Sequence, residues 1–337
     1  MFSFLIRRAI SAVAMLLIVS MVTFGIFFLL PRLAGQTTDQ LAAAYAGKAP
    51  TQAAIADIKE RLGLDDPIAV QYGRFVKGVV AGQDFSNGPS VMHCGAPCLG
   101  YSFRTSEPVL PTLLDRAPVT VSLALGAAVF WLIAGIGVGV LSALRRGSAF
   151  DRAAMMTALA GVSLPVYFTG LVSLAVFAYG LKLWPEGVAY RSFTEDPVDW
   201  AYNLILPWAT LAFLHAALYA RLTRAGMLET LNEDYIRTAR AKGLPERTVI
   251  TKHALRASLT PILTIFGLDL GLLLGGAVLT EKTFGFPGLG ALSIDSIRSG
   301  DLPMVMGVVL LATIFIVVAS FVVDVLYAVI DPRVRLE

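Results

Sequence analysis

The chain has 337 residues, of which 56% are hydrophobic and 15% are charged. An average soluble domain carries about 25% charged residues, so this composition excludes an ordinary water-soluble protein and indicates that lipid surrounds much of the chain. The formal net charge of +3 is small, and no basic stretch suggests a nucleic-acid site.

Six stretches are long and apolar enough to cross a bilayer as helices. The hydrocarbon core is about 30 Å thick and needs roughly 20 residues of helix. The predicted spans are residues 9–30, 119–144, 153–181, 201–220, 259–282 and 303–330. The first follows Arg7 and Arg8 as a signal peptide would, but it exceeds the usual apolar region of about 7–15 residues and is interpreted as a retained anchor. The sequence therefore predicts an all-α polytopic membrane protein.

Basic residues predict the orientation of these spans. They gather before the first span, after the second and fourth spans and near the C-terminus. Because cytoplasmic loops carry the excess of lysine and arginine, both termini are predicted to be cytoplasmic. The chain then divides into residues 1–30 with the first span, an extracytoplasmic lobe at 31–116, a five-helix core at 117–330 and a cytoplasmic tail at 331–337.

Two helices are predicted inside the lobe. Thr51 can cap the start of a helix that ends at Gly63, because threonine accepts from a free backbone N–H and glycine tolerates the left-handed conformation after a helix. A second helix is predicted to start at Pro67.

Both cysteines, Cys94 and Cys98, lie in a Gly- and Pro-rich stretch of the lobe. On the oxidising side of a membrane this favours a disulfide. The alternative is a metal site that includes His93, but these three residues are one ligand short of the four usual in structural zinc.

Two residues interrupt the middle spans. Pro165 is expected to kink the third span, because proline removes a helical hydrogen bond. His215 lies in the fourth span without an evident nucleophile companion, which favours a histidine packed inside the bundle over a metal, proton or hydrolase site.

The cytoplasmic loop at 232–258 is amphipathic and too polar to enter lipid. Asn232 can cap a helix that ends at Gly243, and Pro245 suits the first turn of a second helix. The apolar residues are Ile236, Ala239, Leu244, Val249, Ile250 and Leu255, and the basic ones around them are Arg237, Arg240, Lys242, Arg247, Lys252 and Arg256. Such a segment either lies on anionic headgroups or fits a groove of a partner protein.

The fifth span carries small residues on one face. Gly267, Gly271 and Gly275 recur every four residues, which lets another helix approach closely. Asp269 lies about 200° round the helix from Gly267 and is predicted to face a water-filled path. Its proposed partner there is a substrate amine. The alternatives are that Asp269 is neutral, or that it pairs with an arginine or hydroxyl of a partner permease. Asp324, in the sixth span, is interpreted as structural.

The segment EDYIRTARAKGLPERTVITKHALRASLTP resembles the cytoplasmic coupling loop of the dipeptide/oligopeptide permease family of ABC importers. The general importer pattern is Glu-Ala-Ala, three residues, Gly, nine residues, then Ile-x-Leu-Pro. In register, the chain has Arg237-Thr238-Ala239, Gly243 followed by Leu244, and His253-Ala254-Leu255-Arg256. Ala239, Gly243 and Leu255 match the pattern. Arg237, His253 and Arg256 depart from it in ways associated with the peptide branch.

Other stretches resemble the same branch, and together they cover nearly the whole chain. These are RLGLDDPIAVQYGRF after the first span, FGFPGLG after the fifth and DPRVR near the C-terminus. The segment NGPSVMHCGAPC at 87–98 looks like an insertion relative to the family.

The resemblance implies a type I ABC importer permease fold, without catalytic residues, in the bacterial inner membrane. The chain lacks the phosphate-binding pattern Gly-x4-Gly-Lys-[Ser/Thr], so ATP and Mg²⁺ are expected on partner subunits and no cofactor on this chain. The implied partners are a homologous second permease, two ATP-binding cassette subunits that receive the loop around Gly243, and an extracytoplasmic solute-binding protein that docks partly on 31–116. Peptide is the expected cargo. Nickel, glutathione or glycoside-derived solutes remain alternatives, and a secondary transporter is a distant one because no inverted repeat is evident.

Overall fold

The computed structural model describes residues 2–46, 50–87, 90–184 and 190–330. The predicted tail at 331–337, which contains DPRVR, lies outside the described residues, as do positions 88 and 89 of the segment 87–98. The chain forms two compact units. The larger unit comprises Val119–Pro287 and the chain from Ile316 onward, and the smaller unit comprises Phe2–Pro118 and Gly288–Phe315. These units are defined by packing, whereas the predicted division follows position relative to the membrane and stays a prediction.

Helices account for most of the described chain, as predicted. Five of those within the described residues are long and apolar enough to cross a membrane: Ile6–Leu33, Val109–Leu144, Pro197–Thr230, Glu246–Leu274 and Leu302–Leu326. A bent pair, Ala149–Ser163 with Val166–Gly180, makes a sixth if it crosses as one span. The predicted third span coincides with this pair.

The bend of that pair falls at the predicted proline. Leu164 has an extended backbone, with φ −89° and ψ 135°, because the ring of Pro165 disfavours the helical conformation of the residue before it. The two halves meet at 108°, so the segment is broken rather than gently kinked.

The smaller unit begins with the first membrane helix and continues into the predicted lobe. Its helices are α1 Phe2–Phe24, extended by a π-helical turn at Gly25–Leu29, then α2 Leu30–Leu33, α3 Thr38–Ala46, α4 Gln52–Leu62 and α5 Ile68–Ala81. The hydroxyl of Thr51 accepts from the backbone N–H of Ala54, and Gly63 ends α4 in the left-handed conformation, which confirms both predicted ends. Pro67 immediately precedes α5, also as predicted.

Two short antiparallel hairpins follow, which the sequence did not predict. β1 Gln83–Asn87 pairs with β2 Ser90–Cys94, and β3 Tyr101–Ser102 pairs with β4 Glu107–Pro108. Strands this short carry little alternation of apolar and polar residues, so the pattern by which strands are recognised is weak.

The helices of the larger unit surround an apolar interior. They are α6 Val109–Leu144, α7 Ala149–Ser163, α8 Val166–Ser173, α9 Pro197–Thr230, α10 Asp234–Ala241, α11 Glu246–Thr248, α12 Leu255–Leu274 and α13 Val278–Phe284. α14 Leu289–Ser299 belongs to the smaller unit, and α15 Leu302–Ile330 completes the chain. The boundary between the units falls inside α6 and α15.

The fifth span ends earlier than the predicted residue 282. The helix stops at Leu274, Gly275 is its C-terminal cap, and a separate short helix starts at Val278. Gly276 has a φ of +136°, a conformation available to glycine but not to most residues, so the chain turns there instead of continuing as a helix.

Candidate functional site

The loop at 232–258 folds as two helical segments joined by a tight turn at Gly243. The N–H of Leu244 donates to the carbonyl of Ala239 at 3.3 Å, and the N–H of Gly243 donates to that of Arg240 at 2.9 Å. Together with the φ of +73° at Gly243, these two bonds form a Schellman motif that closes the C-terminus of α10. Pro245 then precedes α11, which continues through a π-helical stretch, Val249–Ala254, into α12.

Asn232 does not cap α10, so that prediction is wrong. The residue that precedes α10 is Glu233, and its side chain makes no capping bond. The amide of Asn232 instead donates to the carbonyl of Leu228 at 2.7 Å. The last carbonyls of α9 lack helical partners, and a donor that follows directly along the chain satisfies one of them.

The apolar face of this segment is buried against its own chain. Ile236, Val249 and Ala254 are fully buried, and they pack with Met227 of α9 and Ala143 of α6. Ala239 belongs to the same cluster, while Ile250 and Leu255 pack at its edge. We call this the coupling cluster: Ala143, Met227, Ile236, Ala239, Val249 and Ala254 with their partly buried neighbours. A helix lying on lipid headgroups would need this face for the membrane, so its burial disfavours that alternative.

The segment is exposed around its turn, where Arg237, Thr238, Gly243 and Leu244 all reach the surface. Leu244 therefore does not belong to the buried apolar face in which the sequence placed it. Arg240 crosses the turn and donates from Nε and Nη2 to the carboxylate of Glu246, at 3.1 and 2.7 Å. This hydrogen bond raises the pKa of Arg240 above its ordinary value, so the guanidinium stays charged. The two helical segments are thereby held together at the surface beside Gly243.

The remaining predicted loop residues lie along the second segment. His253 is half-buried in the π-helical stretch, Leu255 is partly buried at the edge of the coupling cluster, and Arg256 is exposed in the first turn of α12. The predicted residues therefore do not form one patch. The part that is exposed around the turn is Arg237, Thr238, Gly243 and Leu244.

The glycine face of α12 lies against α15. A side chain at Gly267 would come within 2.6 Å of Val323, and one at Gly271 within 3.3 Å of Ile316. Gly275 is the cap of the helix rather than part of this contact.

Asp269 faces away from the glycines and meets α9. The hydroxyl of Tyr219 donates to Oδ2 of Asp269 at 2.9 Å. The partner is thus a hydroxyl of this chain. Tyr219 is buried beside Trp131, whose ring stacks on His215 at 4.6 Å between centroids. The Nδ1 of His215 is 3.0 Å from the carbonyl of Leu211, which fits a histidine packed inside the bundle.

The two cysteines belong to the smaller unit. Cys94 and Cys98 are joined by a disulfide, and both are buried. His93 instead pairs with Asp84 across the hairpin, with Nδ1 and Oδ1 2.5 Å apart. This pairing does not support the alternative in which His93 and the two cysteines bind a metal ion.

Sequence reasoning missed two acidic residues that the larger unit buries. Glu281 is fully buried in α13 and accepts from the hydroxyl of Thr120 at 2.7 Å. Asp151 is buried at the start of α7 and pairs with Arg224, 73 positions away. A local sequence pattern could have pointed to Asp151: Ser148, three residues earlier, has the spacing of an N-cap and does cap α7.

Two family models match the chain and cover most of it. Residues 135–336 match the model described as "Binding-protein-dependent transport system inner membrane component". Residues 1–124 match its companion, "Binding-prot-dependent transport system membrane comp, N-term".

Curated relatives match over the same length. A putative peptide transport system permease protein of Brucella abortus (strain 2308) is 36% identical over the full length of both chains. The dipeptide transport system permease protein DppB of Alkalihalophilus pseudofirmus is 36% identical, over 99% of this chain and 100% of its own. The di/tripeptide transport system permease protein DppB of Pseudomonas aeruginosa is 38% identical, over 83% and 84%.

A solved structure matches the fold. A chain in the inward-facing MetNI methionine ABC transporter superposes with a TM-score of 0.52 and 19% identity, over 67% of this chain and 99% of that one. This likeness shows that the fold is that of a type I ABC importer permease.

Proposed function

Because the chain belongs to the family of binding-protein-dependent transport system inner membrane components, we propose that it is the transmembrane permease subunit of an ATP-driven peptide importer. The observation that carries the proposal is the structure of residues 232–258, which we call the coupling segment. Its apolar face is buried in this chain, and its turn at Gly243 is closed by two backbone hydrogen bonds and exposed. The relatives named as peptide, dipeptide and di/tripeptide permeases support peptide as the cargo.

The coupling segment transmits force mechanically in this proposal. The turn around Gly243 enters a surface cleft of a cytoplasmic ATPase subunit, and closure of the ATPase pair displaces the turn. The coupling cluster joins α10 to the ends of α6, α9 and α12, so the displacement passes to these membrane helices instead of bending a loop. ATP and Mg²⁺ are held by the ATPases, and this chain supplies no catalytic group.

The partners follow from the family. They are a homologous permease, two ATP-binding cassette subunits and an extracytoplasmic solute-binding protein, which docks partly on residues 31–116. Both termini then lie in the cytoplasm of a bacterial cell, with the coupling segment on the same side.

Uptake by the complete transporter tests this function. Proteoliposomes with both permeases and the ATPases, supplied with peptide-loaded binding protein, should accumulate peptide only with ATP. The same assay distinguishes the alternative cargoes. If nickel or glutathione is taken up in place of peptide, the chain is still an ATP-driven importer permease but its cargo is not peptide. Uptake that follows an ion gradient without ATP would contradict the importer.

We also propose that Asp269 lines the translocation path and binds a peptide amine as it passes. The carboxylate is half-buried, and Tyr219 holds one of its oxygens. An ionisable group at this depth of a membrane helix costs about 2.5–3.5 kcal/mol, which favours a functional role.

Asp269→Asn should lower uptake of peptides with a free N-terminal amine about tenfold, because a charge-assisted hydrogen bond contributes about 1.5–3 kcal/mol. Uptake of N-acetylated peptides that the binding protein delivers should change little. The measurement is the ratio of the two uptake rates at saturating binding protein. Tyr219→Phe leaves the charge of Asp269 but removes the hydroxyl that holds its Oδ2, so it should lower the ratio less than Asp269→Asn does. An equal loss for both peptides in Asp269→Asn would assign Asp269 a structural role.

A further inference from the structure

Asp151 is buried at the start of α7, where three other parts of the larger unit hold its carboxylate. Arg224 of α9 donates to its two oxygens, from Nε at 2.6 Å and from Nη2 at 2.9 Å. The hydroxyl of Ser142 in α6 donates to Oδ1, and the backbone N–H of Gly147 donates to Oδ2 at 2.9 Å. The side chain of Asp151 is only 5% exposed and that of Arg224 is 25% exposed. These bonds satisfy the carboxylate within the fold, in the bidentate geometry that fixes orientation as well as distance.

The ion pair lies directly beside the coupling cluster. Arg224 is three residues before Met227, which the cluster buries completely, and Ser142 is next to Ala143 of the same cluster. Asp151 therefore joins the turn between α6 and α7 to the last turns of α9, which lead into α10. Arg224 lies about one helical turn from Met227, so a displacement of the coupling segment that moves Met227 also moves Arg224.

A second contact fastens α7 to α9 farther along. A side chain at Gly161 would come within 2.9 Å of Ala217, so the two helices are close there. Around and between these points, α6, α7 and α9 leave an apolar groove of about 540 Å³, lined largely by alanines. Small side chains let two membrane helices approach closely, so α7 already packs against α9 at Gly161. The bidentate pair adds a directional contact at the start of α7, which fixes the orientation of the two helices as well as their distance.

We propose that Asp151 and Arg224 are positioning residues that make α7 move with α9 when the ATPases displace the coupling segment. The inference rests on the proposed function. α7 is the first half of the bent pair, so its movement changes the bend at Pro165 and carries the motion into α8. Lysine at position 224 would keep the positive charge but lose the two parallel hydrogen bonds. Arg224→Lys therefore distinguishes the effect of the bidentate geometry from the effect of the charge.

The test uses the complete transporter in proteoliposomes with Arg224→Lys and Asp151→Asn. Arg221→Lys is the matched control, because Arg221 is an exposed arginine one turn earlier on α9. We expect assembly and the stimulation of ATP hydrolysis by loaded binding protein to persist in Arg224→Lys. Peptide taken up per ATP should fall about 5- to 10-fold, the size of a typical coupling between sites. Arg221→Lys should leave that ratio unchanged.

A distance measurement separates positioning from mere stability. Spin labels at Met156→Cys on α7 and Arg221→Cys on α9 should report one narrow distance in every nucleotide state of the native chain, and a broadened one with Arg224→Lys. A native ratio of uptake to ATP in both assembled variants would overturn the inference, as would a native α7–α9 distance that changes with nucleotide. If Asp151→Asn fails to fold, Arg224→Lys alone decides. Failure of the proposed function would appear differently, as absence of ATP-driven uptake in the unmodified complex.

Discussion

Gly243→Val is expected to reduce the stimulation of ATP hydrolysis by loaded binding protein about tenfold or more, whereas Gly243→Asn should retain most of it. Gly243 has a φ of +73°, and apart from its two chain neighbours no atom of the described residues lies within 4 Å of a Cβ placed there. Space in this chain is therefore not the constraint. The left-handed conformation costs a β-branched residue about 1–2 kcal/mol, and asparagine adopts it more readily. Valine and asparagine are similar in size, so the pair isolates the backbone conformation of the turn.

A third variant tests the surface that the turn presents. Gly243→Asp has the shape of Gly243→Asn and adds only a negative charge beside Arg240 and Glu246. A lower stimulation with aspartate than with asparagine indicates that the ATPase contacts this position directly. The measurement is ATP hydrolysis by the assembled complex with and without loaded binding protein. If the valine variant is stimulated as strongly as the native chain, the segment does not couple through this turn and the proposed mechanism is wrong.

Local features of the fold could be predicted from the sequence because neighbouring residues determine them. Thr51 and Gly63 delimit a helix through the capping bonds of their own backbone and side chains. Pro165 breaks the third span because its ring restricts the residue before it. The family could be recognised for the same reason: the spacing of Ala239, Gly243 and Leu255 is a local pattern.

Features that depend on distant partners could not be predicted. Asn232 has the chemistry of an N-cap, but the nearest unsatisfied groups are the last carbonyls of the helix behind it, and Leu228 accepts from it instead. Asp151 and Arg224 are 73 positions apart, so no local sequence pattern predicts that they form an ion pair. Asp269 could be placed opposite the glycines by helical periodicity, yet its partner Tyr219 comes from another helix, 50 positions away.

Exchanging the sizes of two facing residues tests the contact between α12 and α15. Gly267→Val should lower the melting temperature of the purified complex and the yield of folded protein, because even a Cβ at Gly267 lies 2.6 Å from Cγ2 of Val323. Overpacking of this kind costs about 1–3 kcal/mol. The double variant Gly267→Val with Val323→Gly conserves the total volume, and we expect it to recover most of the loss.

Gly137→Val is the matched control for this exchange. Gly137 also lies within a membrane helix, α6, but among the described residues, beyond the backbone of its own helix turns, nothing lies within 4 Å of a Cβ there, so valine should be tolerated. If Gly137→Val and Gly267→Val destabilise equally, the cost lies in the helix itself and not in its packing. If the double variant recovers nothing, Val323 is not the residue that requires glycine at 267. Recovery by exchange would instead show that α12 and α15 pack directly against each other at Gly267 and Val323, and that this contact requires a small residue on one of the two helices.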